Sequence, residues 1–152
     1  MLQAGDTAPD FTARDAQGNE VTLSALRGQN VVLYFYPKDD TPGCTKEACS
    51  FRDAHSVYEQ AGIKVLGVSL DDEASHQKFA AKYNLPFTLL ADTDHAVADA
   101  YGVYGPKSFA GRDYMGVTRK TFLIGKDGKI KHVFDKVNVD EHADEVLAAF
   151  QS

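Results

Sequence analysis

This chain of 152 residues lacks the features that mark membrane proteins and nucleic-acid-binding proteins. No apolar run approaches the roughly 20 residues that a membrane-spanning helix needs. The net charge is −6 and the basic residues form no stripe, which argues against binding to nucleic acid or to an anionic membrane. No tract rich in proline, glycine or serine divides the chain, so we expect one compact domain over residues 1–152.

A secretion signal is lacking as well, and cysteine is scarce. The first residues, Met1 to Asp6, contain neither a basic segment nor an apolar core. Cys44 and Cys49 are the two cysteines of the chain. Two cysteines that lie so close together in the sequence suit a reducing compartment, in which a disulfide is transient and catalytic. We therefore expect a cytoplasmic protein.

The two cysteines follow an apolar run, Val31 to Pro37, whose β-branched and aromatic residues predict a buried strand. Thr41 and Pro42 are typical of a helix start, with threonine as the N-cap and proline in the first helical position. Cys44 then lies in the first turn, where free N–H groups and the helix dipole favour an anion. Because the thiolate is the reactive form of cysteine, Cys44 is a candidate nucleophile.

The spacing of the two cysteines restricts how they can react with each other. Five helical residues advance the chain by about 7.5 Å and turn it by roughly 140°, which places the two Cα atoms roughly 8.6 Å apart. A disulfide cannot close when its Cα atoms are more than about 7 Å apart. A bond between Cys44 and Cys49 therefore requires this part of the helix to unwind.

These residues also resemble a known family. Pro37, Thr41 and Cys44 match the Pro-x-x-x-Thr-x-x-Cys motif of the peroxiredoxins, and a second cysteine five positions on is similar to the atypical two-cysteine branch called PrxQ or bacterioferritin comigratory protein. The resemblance extends over nearly the whole chain, in the stretches Gly5 to Phe11, Tyr34 to Lys38, Thr41 to Thr45, Lys107 to Phe109 and Val117 to Ile124. It implies an α/β, thioredoxin-like fold with a central mixed β-sheet flanked by helices.

The resemblance also implies an activity. A PrxQ-like protein reduces hydrogen peroxide and organic hydroperoxides without a metal or an organic cofactor, and it is often a monomer. Cys44 would become a sulfenic acid and form a disulfide with Cys49, and thioredoxin or a similar dithiol protein would then reduce that disulfide. By the same resemblance, Arg119 would complete the site from a later strand.

Physical roles can be argued for the other motif residues. Thr41 would offer its hydroxyl to the peroxide, and Gly43 would help to bind it at the helix start. Arg119 would place a permanent charge beside the sulfur. Pro37 would shape the pocket and exclude water. Apolar side chains at the mouth of the pocket are expected from Phe109, Tyr114 and Met115.

Strands and helices alternate along the chain, which suits a mixed sheet between helices. The predicted strands are Asp10 to Asp15, Glu20 to Leu23, Val31 to Tyr36, Lys64 to Leu70, Phe87 to Leu90, Lys120 to Ile124 and Lys129 to Phe134, the first two forming an N-terminal hairpin. The predicted helices are Pro42 to Gln60, Glu73 to Tyr83, His95 to Tyr101 and Glu141 to Phe150.

Other functions remain open from the residues alone. A general dithiol oxidoreductase would use Cys-x-x-Cys, and a glutathione-peroxidase-like site would use a tryptophan, which this chain lacks. A peroxide sensor or redox-switched holdase could use the same sulfenic acid without efficient turnover. Arg119 could also be an ordinary ion-paired side chain.

We predict no metal site. The acidic residues Asp71 and Asp72 are typical of a helix cap, and the five histidines show no zinc-like spacing. On the helix of the two cysteines, His55 is expected to lie on a solvated face.

Overall fold

The computed structural model describes residues 1–151. These residues contain nine strands and five α-helices. The strands are β1 (Thr12–Asp15), β2 (Glu20–Thr22), β3 (Asn30–Phe35), β4 (Ile63–Ser69), β5 (Thr88–Ala91), β6 (Tyr104–Phe109), β7 (Arg112–Val117), β8 (Lys120–Ile124) and β9 (Ile130–Phe134). The helices are α1 (Pro42–Asp53), α2 (His55–Gln60), α3 (Glu73–Tyr83), α4 (Ala96–Ala100) and α5 (His142–Gln151).

Seven strands form one mixed sheet in the order β2-β1-β5-β4-β3-β8-β9. The three central strands β5, β4 and β3 are parallel, and the outer pairs are antiparallel. The N-terminal hairpin of β1 and β2 lies at one edge, as predicted. The central mixed sheet and its flanking helices confirm the expected fold class.

Strand β3 separates two hydrophobic clusters because successive side chains point to opposite faces. Val31, Leu33 and Phe35 pack on one face, with Phe122 of β8. Val32 and Tyr34 pack on the other face, in the same cluster as Cys44 and residues of α1, α2, α3 and α5. The nearly continuous burial of β3 follows from its place between two layers.

The predicted helix from Pro42 to Gln60 is divided at Ala54, whose φ and ψ are −95° and 5°. Each half has its own tertiary anchor. Arg52 donates to the Tyr83 carbonyl oxygen at 2.9 Å, and Tyr58 donates to the Ala143 carbonyl oxygen at 2.6 Å. Since these partners lie far away in the chain, local sequence gives no sign of the break.

A second, two-stranded sheet of β6 and β7 was not predicted. Pro106 and Gly105 weaken its strand pattern, but a two-stranded sheet has only edge strands, where proline is tolerated. Its turn places Ala110 at φ 52° and Gly111 at φ 79°, the left-handed pair that tight hairpins require. This hairpin delivers the chain to Arg119, which lies between β7 and β8.

Candidate active site

Cys44 lies in the first turn of α1, just beyond the end of β3, and only 2% of its surface is exposed. The predicted start of this helix is confirmed, because Thr41 is the N-cap residue and Pro42 follows it. The Thr41 hydroxyl, however, makes no capping bond and donates to the Lys38 carbonyl oxygen at 2.9 Å. Its oxygen is therefore left to accept a hydrogen bond rather than to donate one.

Arg119 reaches the sulfur of Cys44 from a point 75 residues further along the chain. Its Nη2 lies 3.1 Å from the sulfur, and its Nη1 donates to Oε1 of Glu47 at 2.5 Å. The guanidinium is planar and offers donors in a fixed fork, so one side chain can serve both groups. Burial alone would lower the pKa of Arg119, but Glu47 and Cys44 raise it, so the positive charge is permanent.

Gly43 leaves the room that Arg119 needs. A Cβ atom added at Gly43 would lie 3.3 Å from Nη2 of Arg119, closer than ordinary van der Waals contact. The guanidinium of Arg119 cannot easily move away from such a Cβ atom, because its Nη1 is bonded to the Glu47 carboxylate. Because Gly43 has no side chain, the guanidinium of Arg119 can lie against the sulfur of Cys44.

Gly43→Ala is expected to slow the oxidation of Cys44 by peroxide about fivefold, since tight contact with the end of a flexible side chain costs about 1 kcal/mol. Stopped-flow measurement of the oxidation rate checks this. Gly105→Ala is the matched control, because a Cβ atom there meets nothing within 4 Å. Equal rates in the two variants would show that Gly43 does not position Arg119.

Glu47 was missed by sequence reasoning, although it lies three residues after Cys44 and hence on the same side of the helix. Its side chain is fully buried. Burial raises the pKa of Glu47 to about 7, although the charge and hydrogen bond of Arg119 act to lower it. A buried carboxyl group and a sulfur therefore share one guanidinium.

Beyond Glu47 lies His142, the first residue of α5 and fully buried. Its Nδ1 faces Oε1 of Glu145 at 3.1 Å, and its Nε2 faces the Thr121 hydroxyl at 2.7 Å. Burial lowers the pKa of His142 despite Glu145, so the ring is neutral near pH 7. From these partners we assign the proton to Nδ1, with Nε2 accepting from Thr121.

Cys49 is the second free thiol, half-buried and further along α1. Both cysteines lie within the continuous helix Pro42–Asp53, so the helical separation derived from their spacing applies. The structure thus holds Cys44, Gly43 and Arg119 together and keeps Cys49 away from them. Their bonding would require this helix to open.

The segment between β3 and α1 is fixed by a buried polar network. Asp39 accepts hydrogen bonds from the Tyr36 hydroxyl at 2.6 Å, from Nδ1 of His76 at 2.7 Å and from the Ser75 hydroxyl at 2.9 Å. Its own N–H donates to Asp71 at 2.8 Å. Pro37, half-buried, therefore leads into a rigid segment before the helix.

Within residues 1–151, one group of side chains has the composition of a metal site: Asp39, Asp71 and His76. Both ring nitrogens of His76 face oxygen acceptors, Asp39 and the Leu90 carbonyl at 2.9 Å. Burial alone would lower the pKa of His76, but Asp39, Leu90 and Asp71 raise it. Hydrogen bonds between His76, Asp39 and Asp71 thus hold this cluster together and fix the segment before α1. The neighbouring Asp72 caps α3 by accepting from the Ser75 N–H, as predicted.

The remaining predicted residues lie at the surface or near it. Phe109, Tyr114 and Met115 are 75%, 47% and 53% exposed on the β6–β7 hairpin, and their role at a pocket mouth stays a prediction. His55 pairs with Glu59 at 3.3 Å, with about a third of its side chain exposed. No helix within residues 1–151 is both long enough and apolar enough to cross a membrane.

A buried cysteine at a helix start, facing an arginine just before a strand of a thioredoxin-like sheet, defines a class of thiol-dependent redox enzymes. Comparison with known proteins narrows this class. Residues 4–133 match the model of the AhpC/TSA family. A putative peroxiredoxin Bcp of Coxiella burnetii is 51% identical over 96% of this chain and 97% of its own length. Peroxiredoxin Bcp of Escherichia coli is 49% identical over 96% of this chain and 94% of its own.

Solved structures of bacterial proteins are similar to this fold over nearly the whole chain. The bacterioferritin comigratory protein of Xanthomonas campestris superposes with a TM-score of 0.91 at 38% identity, covering 99% of this chain and 95% of its own. PrxQ of Xylella fastidiosa gives a TM-score of 0.93 at 35% identity, over 99% of this chain and 96% of its own. The chain belongs to the AhpC/TSA family and, within it, to the peroxiredoxins of the Bcp or PrxQ type. It is therefore a thiol-dependent peroxidase, an oxidoreductase that acts on peroxides with a thioredoxin-type reductant.

Proposed function

We propose that Cys44 is the residue that attacks the peroxide. The observation that carries this proposal is the buried sulfur of Cys44 at 3.1 Å from Nη2 of Arg119. A fixed positive charge at that distance stabilises the thiolate and the negative charge that builds on the leaving oxygen. Thr41 accepts a hydrogen bond from the hydroperoxide, Gly43 leaves room for the guanidinium and for substrate, and Pro37 shields the pocket from water.

Cys49 is the resolving residue of the proposed cycle. Attack by Cys44 breaks the O–O bond and leaves a sulfenic acid on the sulfur. The first turns of α1 then unwind, and the Cys49 thiol displaces water from the sulfenic acid to form the disulfide. Thioredoxin or a similar dithiol protein reduces this exposed bond by thiol–disulfide exchange. No step of this cycle uses a cofactor.

The substrates are hydrogen peroxide and organic hydroperoxides. The solved relative from Xanthomonas campestris is described with alkyl peroxide reduction activity, which supports the organic part of this range. The protein acts as a monomer with one domain, in the cytoplasm, where a dithiol reductant is at hand. The net charge of −6 supports a role without nucleic acid or membrane as a partner.

The proposal is tested by mixing reduced protein with one equivalent of peroxide, followed by intact mass and a count of free thiols. We expect rapid loss of both thiols and a mass lower by about two hydrogens, the result of disulfide formation. Two surviving thiols at the end of the reaction would contradict the roles of Cys44 and Cys49.

A further inference from the structure

We propose that Glu47 is the proton reserve of the oxidation step: it holds a proton while Cys44 is a thiolate and gives it up as the sulfur is oxidised. This inference rests on the proposed role of Cys44. Glu47 does not touch the reacting sulfur; it acts through the guanidinium of Arg119, which it shares with Cys44.

The charges around Arg119 are the first step of the argument. One permanent cation faces two groups that can each become an anion, Cys44 and Glu47. If both were ionised, the buried site would hold an excess negative charge, which is costly away from water. At a pH below the pKa of Glu47, the thiolate form of Cys44 is therefore accompanied by a protonated Glu47. This agrees with the carboxyl pKa raised to about 7.

Among residues 1–151, the other surroundings of Glu47 offer no second cation. His142 approaches Oε2 to 3.9 Å, but its ring is neutral and its Nε2 faces the Thr121 hydroxyl. Tyr34 of β3 faces the site from the sheet as a neutral phenol, because burial raises its pKa, with Glu47 and Cys44 adding to the effect. Among the buried side-chain atoms of residues 1–151, only Tyr34 Oη and Glu47 Oε2 lack a hydrogen-bond partner in the protein. Nothing besides Arg119 thus favours the ionised carboxylate.

The oxidation of Cys44 by a hydroperoxide requires one proton for the oxygen that leaves. The thiolate sulfur bonds to the terminal oxygen of the hydroperoxide, the O–O bond breaks, and an alkoxide or hydroxide leaves. That oxygen must gain one proton to become alcohol or water. The sulfur at the same time loses its negative charge as it becomes a neutral sulfenic acid.

Glu47 balances both changes. Thiolate, carboxylic acid and hydroperoxide become sulfenic acid, carboxylate and alcohol, with the same number of protons and the same net charge. Arg119, which faced the thiolate before the reaction, then faces the carboxylate of Glu47 as its anion. At a pH below the pKa of Glu47, the buried site keeps its charge through the reaction, and no net proton is taken from solution.

Counting protons tests this directly. In a Cys49→Ser background, oxidation stops at the sulfenic acid, and a pH indicator in weak buffer records the protons taken from solution while the thiolate absorbance records the charge lost at Cys44. With Glu47 intact we expect uptake near zero at pH 6, rising toward one proton per thiolate at pH 8, where the carboxyl is already ionised. Glu47→Gln, which keeps the shape of the side chain, is expected to take up about one proton at both pH values.

Glu59→Gln is the matched control, since that carboxyl is exposed and pairs with His55 away from the site, and it should behave like the intact protein. Two results would overturn the inference. One is proton uptake that stays constant from pH 6 to pH 8 in the protein with Glu47 intact, which needs no variant at Glu47. The other is equal proton uptake with Glu47 and with Gln at this position. Failure of the proposed role of Cys44 would give a different result, because the mass of the protein would then show no oxygen atom added to Cys44.

Discussion

Cys44→Ser is expected to reduce peroxide no faster than free solution, a complete loss of activity. A serine hydroxyl does not ionise near pH 7 and its oxygen forms no counterpart of the sulfenic acid, so neither nucleophile nor product exists. Peroxide consumption measured with thioredoxin, its reductase and NADPH checks this. Serine is close in size to cysteine, so the packing of this buried position is preserved.

The matched control for this loss is Cys49→Ser, which alters the other thiol of the same helix. It is expected to oxidise once, as fast as the parent protein, and then to stop, because no second thiol is present to form the disulfide. Further peroxide should drive its Cys44 to sulfinic acid, seen as a gain of two oxygen atoms. Full thioredoxin-supported turnover in Cys49→Ser would exclude a resolving role for Cys49.

Arg119→Met is expected to slow the oxidation of Cys44 by about 10²- to 10³-fold, the usual cost of losing one donor aimed at developing charge. The sulfur loses the cation at 3.1 Å that favours its thiolate. Stopped-flow oxidation under peroxide excess gives the rate constant. Arg112→Met removes an exposed arginine of β7 and should leave this rate unchanged.

Loss of Arg119 also leaves Glu47 buried without its cation, which can cost about 3–5 kcal/mol of stability while the carboxylate is ionised. The double variant Arg119→Met with Glu47→Gln removes that penalty. If the double variant recovers thermal stability but not the oxidation rate, the rate loss belongs to the sulfur–guanidinium contact. If the double variant recovers both its thermal stability and its oxidation rate, the slower oxidation of Arg119→Met results from disturbed folding instead.

Much of this architecture follows from local patterns. The helix of Glu73–Tyr83 was predicted to the residue, because Asp72 offers a cap before it and a regular apolar stripe follows. The start of α1 was visible in Thr41 and Pro42. The resemblance to the peroxiredoxins pointed to Arg119, and the structure brings it to Cys44.

What the sequence did not reveal depends on contacts between distant segments. Glu47 is an ordinary helix residue in sequence, and only Arg119, 72 residues away, gives it a partner. His76 pairs with Asp39, 37 residues away, and His142 pairs with Thr121, 21 residues away, so neither contact could be predicted from the sequence. Burial of a polar side chain is decided by tertiary packing, which no local pattern records.

The anchors on either side of the active-site helix bear on the speed of the catalytic cycle. Upstream, Asp39 is paired with His76, and Asp40 accepts from Lys82 at 2.8 Å and from Tyr83 at 2.9 Å. Downstream, Arg52 holds the Tyr83 carbonyl.

An opening of α1 on oxidation is thereby confined to about a dozen residues with both ends fixed to α3. Helical segments of this size form in about 0.1–1 μs, far faster than two proteins meet at cellular concentrations. After each reduction the helix should rewind long before the next reductant arrives, so rewinding of α1 does not limit turnover.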